Sequence, residues 1–425
     1  MGRIGVIGTG YVGLTTGVCF AHLGHDVVCA DIDAEKIARL QRGEATIVET
    51  GLDNLLTEGV RSGRLRFVAG TAGAAVDREF VYLCVPTPPA PDGGADLTYI
   101  EGAAAEIASV LPQDAVVVTK STVPVGSTKV VGRVLRRPDV SVVSNPEFLR
   151  EGSAIHDFLH PDRIVIGSDD QAAAIKVASL YLGIAAPLVV TDPASAETIK
   201  YAANAFLATK LSFVNAVAAV CEAVGADVND VMLGLGYDRR IGQDFLKPGP
   251  GWGGTSFPKD TRALVKIAAD AGYDFELLTG VIAENEQQRA RVVAKIRAAA
   301  GGDLDGQIVA IWGLTFKART DDRRESPSLA VATELLAGGA KVRAYDPTVT
   351  GPLPGIDIDI CTDPLEACDG AVVLAVLTEW DEFRWFDLER VGGAMAERAI
   401  VDARNLLDRS AAKRAGFSYT SIGRA

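Results

Sequence analysis

Short apolar runs, each bounded by glycine, proline or polar turn residues, alternate along the chain with stretches whose apolar positions recur at helical spacing. The chain opens RIGVIGTGYVGLTTGVCFAHLGHDVVCADID, which reads as strand, glycine turn, helix, glycine and a second strand ending in an acid. Further unbroken apolar runs lie in FVYLCVP, AVVVTKST and VSVVSNPEF, as expected of parallel strands covered on both faces. From about residue 195 to 235 the pattern turns helical, ASAETIKYAANAFLATKLSFVNAVAAVCEAVGADVNDVM, with one early glycine stop at Gly225. This predicts a connecting spine. A second helical stretch, roughly 258 to 300, ends in the turn GGDLDG. The opening theme then returns in QIVAIWGLTFK, SPSLAVATELLAGGA, KVRAYDP, GAVVLAVL and RAIVDARNLL.

The first turn carries chemistry. Gly8, Gly10 and Gly13 form GxGxxG directly after the first strand, and Asp31 ends the second strand. That is the spacing of about twenty residues expected when glycines admit a pyrophosphate to a helix N-terminus and an acid bonds the ribose hydroxyls. Asp31 would repel a 2'-phosphate, which favours NAD over NADP. The alternative is a tight turn with a chance acid. The second half lacks GxGxxG, so it is expected to bind something other than a dinucleotide pyrophosphate. The predicted fold class is therefore α/β, with two doubly wound Rossmann-like domains joined by a long central helix and a helical middle domain. Boundaries are placed at 1–195, 196–300 and 301–425. Three polar or proline-rich loops, PTPPAPDGG, KSTVPVGST and NPEFLREGSA, follow strands and are candidates for the active-site wall.

Composition narrows the partners. Lys plus Arg total 42 against 55 Asp plus Glu, a formal charge of -13, with no basic run. This argues against nucleic acid or an anionic membrane as partner. Small anionic ligands stay open to it, since local amides and cations act at short range. The six cysteines (19, 29, 84, 221, 361 and 368) are scattered in mostly apolar runs without CxxC or Cys/His ligand spacing. They read as reduced buried thiols of a cytoplasmic protein, with no metal site. His156 and His160 likewise lack a ligand partner and read as structural. The N-terminus enters a strand without a signal peptide, and no apolar run reaches the length of a membrane span, so a soluble chain is expected.

The segment GPGWGGTSFPKD, residues 249 to 260, poses the sharpest question. Glycine at that density implies that something comes close to the backbone. TSFPKDTRALVKIA also reads as a helix start, with Ser256 as N-cap and Pro258 in the first turn.

Together with GTGYVG, DIDAEKI, CVPTP, KSTVPVGST, NPEFLREGSAIHDFLHPDRIV, KYAANAFLATK, RIGQDFLKPGPGWGG, FPKD, LTFKARTDDRRESPS and YDP, this segment resembles the UDP-glucose/GDP-mannose dehydrogenase family from end to end. The pattern is most similar to the subgroup that oxidises UDP-glucose. Dehydrogenases of GDP-mannose and of UDP-N-acetylhexosamines share much of it. The resemblance implies oxidation of a sugar C6 alcohol to the acid with two NAD in succession, through an aldehyde that a cysteine captures and a thioester that water hydrolyses. That cysteine stands four residues before the aspartate of FPKD, where this chain has Ser256. A hydroxyl ionises far less readily than a thiol of pKa about 8.5 and needs a well-placed base. Three outcomes follow: the reaction stops at the aldehyde, an aldehyde hydrate is oxidised without capture, or a slow oxygen ester forms.

The resemblance also assigns roles. Thr122, Glu147 and Asp260 would hold or activate a catalytic water. Lys200, aided by Asn204 one helical turn on, would stabilise the developing C6 oxyanion. Glu151 would lie near the nicotinamide. NAD would meet Gly8, Gly10, Tyr11, Val12, Gly13, Asp31, Lys36, Thr87, Thr122 and Arg324. The sugar nucleotide would meet Phe148, Leu149, Glu151, Lys200, Asn204, Phe245, Leu246, Lys247, Gly249, Gly253, Phe316 and Lys317. Trp252 replaces the usual phenylalanine as a larger packing residue. Arg240 would reach a neighbouring subunit's UDP-sugar, making a homodimer necessary. Plainer readings stand beside these: Asp260 as a surface helix acid, Lys200 and Asn204 as a solvated helix face, Glu151 as a solvated loop acid, and ARTDDRRES as an exposed charged turn. A catalytically silent sugar-nucleotide and NAD binder is the rival to an enzyme.

Overall fold

The computed structural model describes residues 1–424. The apolar runs become fourteen strands in two sheets. In the first sheet β1 (Arg3–Ile7), β2 (Asp26–Asp31), β3 (Leu65–Ala69), β4 (Phe80–Leu83), β5 (Val116–Thr119), β6 (Ser141–Ser144), β7 (Ile164–Gly167) and β8 (Leu188–Thr191) lie in the order β3-β2-β1-β4-β5-β6-β7-β8. All neighbours are parallel except β6 and β7. In the second, β9 (Ile308–Trp312), β10 (Lys341–Tyr345), β11 (Asp359–Ile360), β12 (Val373–Val376), β13 (Ala399–Asp402) and β14 (Ser418–Ser421) lie in the order β11-β10-β9-β12-β13-β14. The strand order reverses beside β1 and again beside β9, the mark of a doubly wound sheet.

Helices cover both faces at the centre of each sheet, where β4, β5, β12 and β13 are buried throughout. On one side of the first sheet Val6, Val27, Tyr82 and Val118 pack with Phe20 and Phe158; on the other Ile7, Val81 and Val117 pack with Ile100 and Leu135. Ile7 lies level with Ala30 of β2 and Leu83 of β4, so three strands end together where the glycine turn begins.

The chain divides into two compact units, Met1–Ala203 with Arg262–Tyr273, and Asn204–Thr261 with the chain from Asp274 onward. The helical middle expected at 196–300 is thus shared. Its spine is a single helix, Pro193–Val224, whose first residues belong to one unit and the remainder to the other. Among the described residues it alone is long and apolar enough to cross a membrane by length and composition, against the expectation that no run would be. It nevertheless carries Glu197, Lys200, Asn204, Ser212 and Asn215, all buried in the protein.

The second unit repeats the first turn in altered form. Gly313 follows β9 with φ +91°, and a Cβ there would come within 2.3 Å of Thr378. Asp346, one residue past β10, holds the place that Asp31 holds at the end of β2, yet it is buried. Its oxygens accept from the Leu314 and Thr315 amides at 2.8 and 3.1 Å, the Thr348 amide at 2.9 Å and the Trp380 indole at 3.1 Å. This acid is used inside the fold and holds the turn. Replacing it strands several buried donors, so Asp346→Ala is expected to cost the second unit about 2–4 kcal/mol. Chemical denaturation of the two proteins checks this; an unshifted midpoint would contradict it.

Candidate active site

The nucleotide-binding half is built on the first unit. Gly8 takes φ +94°, and a Cβ there would meet the Cys84 carbonyl oxygen at 2.5 Å. Gly13 lets the helix Tyr11–His22 pack against the turn, where a Cβ would lie 1.9 Å from the Gly8 oxygen. Gly10, by contrast, faces open space: a Cβ there would meet nothing within 4 Å. The open backbone at the helix start and the carboxylate at the end of β2 fit a dinucleotide. Asp31 accepts from the Thr9 amide and hydroxyl at 2.9 and 2.7 Å and from the Asp33 amide at 3.1 Å, with the Lys36 ammonium at 3.4 Å. Burial alone would raise its pKa, but these donors hold it below the ordinary carboxylate range. Thr87 donates to the Thr122 carbonyl at 2.8 Å, tying two of the predicted wall loops together. Val12 packs against the core beneath the turn.

Lys200 is buried and pairs with buried Glu147 at 2.8 Å, which excludes a solvated helix face. Its ammonium lies 5.5 Å from the centre of the Phe148 ring, whose face also carries Arg163 at 3.5 Å. Glu147 accepts from the Leu149 amide at 2.6 Å. Burial opposes its charge, yet Lys200, that amide and the Lys120 charge together hold its pKa below the usual range.

Two carboxylates that sequence reasoning did not single out lock this arrangement. Glu49, buried, accepts from the Tyr11 hydroxyl at 2.8 Å and from the amides of Gly152 and Ala154 at 2.7 and 2.9 Å. It thereby joins the glycine turn to the loop bearing Glu147 and partly buried Glu151. Burial, then Glu49, Glu151 and Glu147, push the Tyr11 phenol far above its ordinary pKa, so it acts as a donor. Glu197, one turn before Lys200, accepts from the Gly126 and Thr128 amides at 2.6 and 2.9 Å and the Thr128 hydroxyl at 2.7 Å. Burial raises its pKa.

The remaining sugar-nucleotide candidates, from Asn204 onward, lie in the second unit. Asp260 is fully buried, accepting from Asn204 and Lys259, each at 2.6 Å, so it is no surface helix acid. Ser256 occupies the N-cap position of the helix Phe257–Asp270: its carbonyl accepts from the Asp260 amide at 2.8 Å. The expected side-chain cap is not made, and among the described residues the Ser256 hydroxyl has no hydrogen-bond partner. Pro258, second in the helix, has no amide hydrogen to offer a cap.

The glycine density of 249–254 answers first to protein packing. A Cβ on Gly253 would lie 2.0 Å from the Glu325 oxygen, and one on Gly254 2.9 Å from the Phe316 ring. Phe245 adopts φ +61°, its ring 6.2 Å from that of Phe257, while Leu246 sits in the core and Lys247 is exposed. Lys317 stands 5.5 Å from the Phe316 ring. Arg404 was missed because nothing around RAIVDARNLL marks it. Its guanidinium bonds the carbonyls of Leu377 and Phe316 at 2.8 and 2.9 Å, and a Cβ on Gly249 would come within 3.0 Å of it. Arg324 forks onto Asp322 at 2.7 and 3.0 Å with a mostly exposed side chain, as a charged turn would. Arg240 forks onto Asp238 and is 88% exposed. The His156 and His160 rings lie 5.0 Å apart, tilted by 44°, and the described residues contain no group that could hold a metal ion.

Three stretches match successive domains of one family, the UDP-glucose/GDP-mannose dehydrogenases: the NAD binding domain over residues 2–185, the central domain over 194–287 and the UDP binding domain over 310–409. The chain belongs to this family, and NAD is its cofactor. It is 48% identical over 435 residues to UDP-glucose 6-dehydrogenase of Rhizobium meliloti, with 99% of each chain covered. It is 44% identical over 432 residues to a UDP-glucose 6-dehydrogenase of Bacillus subtilis, covering 100% of this chain and 94% of that one. Its backbone is similar to that of a UDP-glucose dehydrogenase from Pyrobaculum islandicum, with TM-score 0.92, 36% identity, and 100% and 98% of the two chains covered.

The Lys200–Glu147 pair has a signed pH signature. Folding lowers the Glu147 pKa, so its contribution is present above the unfolded value of about 4.3 and is lost as pH falls through the lower folded value. In Lys200→Met, burial dominates and Glu147 takes up a proton on folding. The stability deficit of the variant should then narrow from about pH 8 to about pH 5. Urea unfolding at both pH values measures it, and a constant deficit would count against the pairing.

Proposed function

We propose that this chain oxidises the C6 alcohol of UDP-glucose, with Ser256 restricting the second of the two oxidations its relatives carry out. The observation that supports this most directly is the buried polar pairing on one helix: Lys200 with Glu147, and a turn later Asn204 with Asp260. A retired site has no chemical need of such groups, which disfavours a silent binder. Bound NAD supplies the hydride acceptor, held by Gly8, Gly10, Tyr11, Val12, Gly13, Asp31, Lys36, Thr87 and Arg324. Lys200 stabilises negative charge on the C6 oxygen as its proton leaves, assisted by Asn204. Glu147 is ionised and receives that proton through a water held with Thr122 and Asp260. Glu151 lies on the nicotinamide side. Phe148, Leu149, the loop from Phe245 to Gly253, Phe316 and Lys317 hold the UDP-sugar.

At the aldehyde stage relatives require a thiol. Ser256 offers a hydroxyl without a base among its described contacts, at a helix start whose positive end helps an oxyanion only modestly. The reaction therefore stops at the 6-aldehyde. NADH formed per UDP-glucose consumed is the test. One equivalent fits the aldehyde; two would show the acid and none a binder. Ser256→Cys is expected to raise the yield from one to two, and mass spectrometry of the wild-type protein should show no ester adduct.

We further propose a homodimer in which Arg240 reaches the neighbouring sugar nucleotide. Phe206, Phe213 and Val220 are 66%, 56% and 59% exposed and recur every seven residues along the helix Pro193–Val224, forming one apolar stripe. The cytoplasm is the compartment that would keep the six free cysteines reduced. Phe213→Glu is expected to yield monomers in analytical ultracentrifugation. A dimer unaffected by that charge would place the interface elsewhere.

A further inference from the structure

Five polar side chains in the second unit, Asn204, Ser212, Asn215, Asn285 and Gln288, are each 7% exposed or less. All five direct hydrogen bonds to one segment, 249 to 260. Asn204 donates to the Asp260 carboxylate at 2.6 Å. Ser212 accepts from the Trp252 indole at 2.9 Å and passes its own hydrogen to the Val281 carbonyl at 2.9 Å. Asn215 accepts from the Gly249 amide at 2.9 Å, and Gln288 donates to the Gly249 carbonyl at 2.8 Å. Asn285 accepts from the Trp252 amide at 2.8 Å and donates to the Trp252 carbonyl at 3.0 Å.

The pattern is ordered. Asn204, Ser212 and Asn215 fall within an arc of about 80° on the helix Pro193–Val224 and span about 16 Å of its length. As the helix advances from 204 to 215, the segment runs back from 260 to 249. Asn285 and Gln288, three apart on the helix Glu276–Ala299, close the other side. Both backbone groups of Gly249 and both of Trp252 are thereby satisfied by side chains. A segment so rich in glycine loses much entropy on ordering. If substrate had to order it, affinity would fall. Here buried amides do so within the fold.

We propose that Ser212, Asn215, Asn285 and Gln288 are positioning residues that preform the sugar-nucleotide loop and the Ser256 helix start before substrate arrives. This rests on the reading of residues 245 to 253 as the sugar-nucleotide loop. Asn285 is the central member, since one amide forms both bonds to Trp252. Ser212 is matched to the tryptophan: an indole N–H is a donor only, and at this burial it requires an acceptor.

The test uses the full-length enzyme with Asn285→Ala, the near-isosteric Asn285→Asp, Ser212→Ala, and Ser212→Ala combined with Trp252→Phe. Hydrogen–deuterium exchange over 249–254 is read without ligand and with saturating UDP-glucose, and KM and kcat are measured for both substrates. In Asn285→Ala we expect exchange in the free protein, and KM for UDP-glucose, to rise roughly tenfold while KM for NAD and kcat change less than about twofold. Asn285→Asp should show a smaller rise. Trp252→Phe should return Ser212→Ala towards wild type, because phenylalanine needs no acceptor. Unchanged exchange in Asn285→Ala and Asn285→Asp would overturn the proposal whatever the kinetics. Faster exchange with an unchanged UDP-glucose KM would overturn the positioning role. Faster exchange that UDP-glucose does not suppress would overturn the reading of the loop itself. Should Asn285→Ala fail to fold, Asn285→Asp and the Ser212/Trp252 pair carry the same comparison.

Discussion

An ammonium removed from water survives in a protein only where an anion and oriented dipoles meet it, and Lys200 imposes that requirement on the nucleotide-binding unit. Glu147 answers it, but a buried carboxylate must itself be fixed, which the Leu149 amide achieves. The loop carrying Glu147 is fixed in turn by Glu49, and the helix carrying Lys200 by Glu197. Each buried charge thus calls for the next, and the chain of demands ends on backbone amides of loops that follow the strands. Lys200 and Glu147 sit where they do because the alternative is an uncompensated charge in a low-dielectric interior.

The second unit meets a similar demand with one amide and one ammonium. Asp260 is fully buried beside Asn204 and Lys259, so the amino end of its helix is anchored by its own first turn. Among the described residues the hydroxyl of Ser256, by contrast, has no hydrogen-bond partner. The glycines nearby have a dual character. Gly253 and Gly254 exist because Glu325 and Phe316 leave no room for a Cβ, and the tight packing holds the loop still.

Much of this was legible in the chain. GxGxxG with Asp31 was readable because its determinants are local in sequence: Gly13 is required by its close contact with Gly8 in the same turn, and the acid ends the next strand. The polar residues inside YAANAF were recognisable as buried by their apolar neighbours. Glu49, Glu197 and Arg404 were not readable, since their partners are backbone amides and carbonyls tens to over a hundred residues away in sequence, which no spacing encodes. Asp346 misleads in the opposite sense. It repeats the position of Asp31, and only the geometry shows its oxygens turned inward onto Leu314, Thr315, Thr348 and Trp380. The plain reading of ARTDDRRES as a charged turn matches the Arg324–Asp322 fork, while the plain readings of Asp260 and Lys200 fail because both side chains are buried.

The fate of the sulfur atoms has a consequence of its own. All six cysteines are free and buried, and burial lifts the thiols of Cys84 and Cys368 to about 12 and those of Cys19 and Cys29 higher still. Being buried, none of the six is presented to solution, and the partly exposed position 256 carries oxygen, which cannot climb the ladder from sulfenic to sulfonic acid. Peroxide and alkylating agents, which silence thiol-dependent dehydrogenases at their reactive sulfur, find no such handle on this protein.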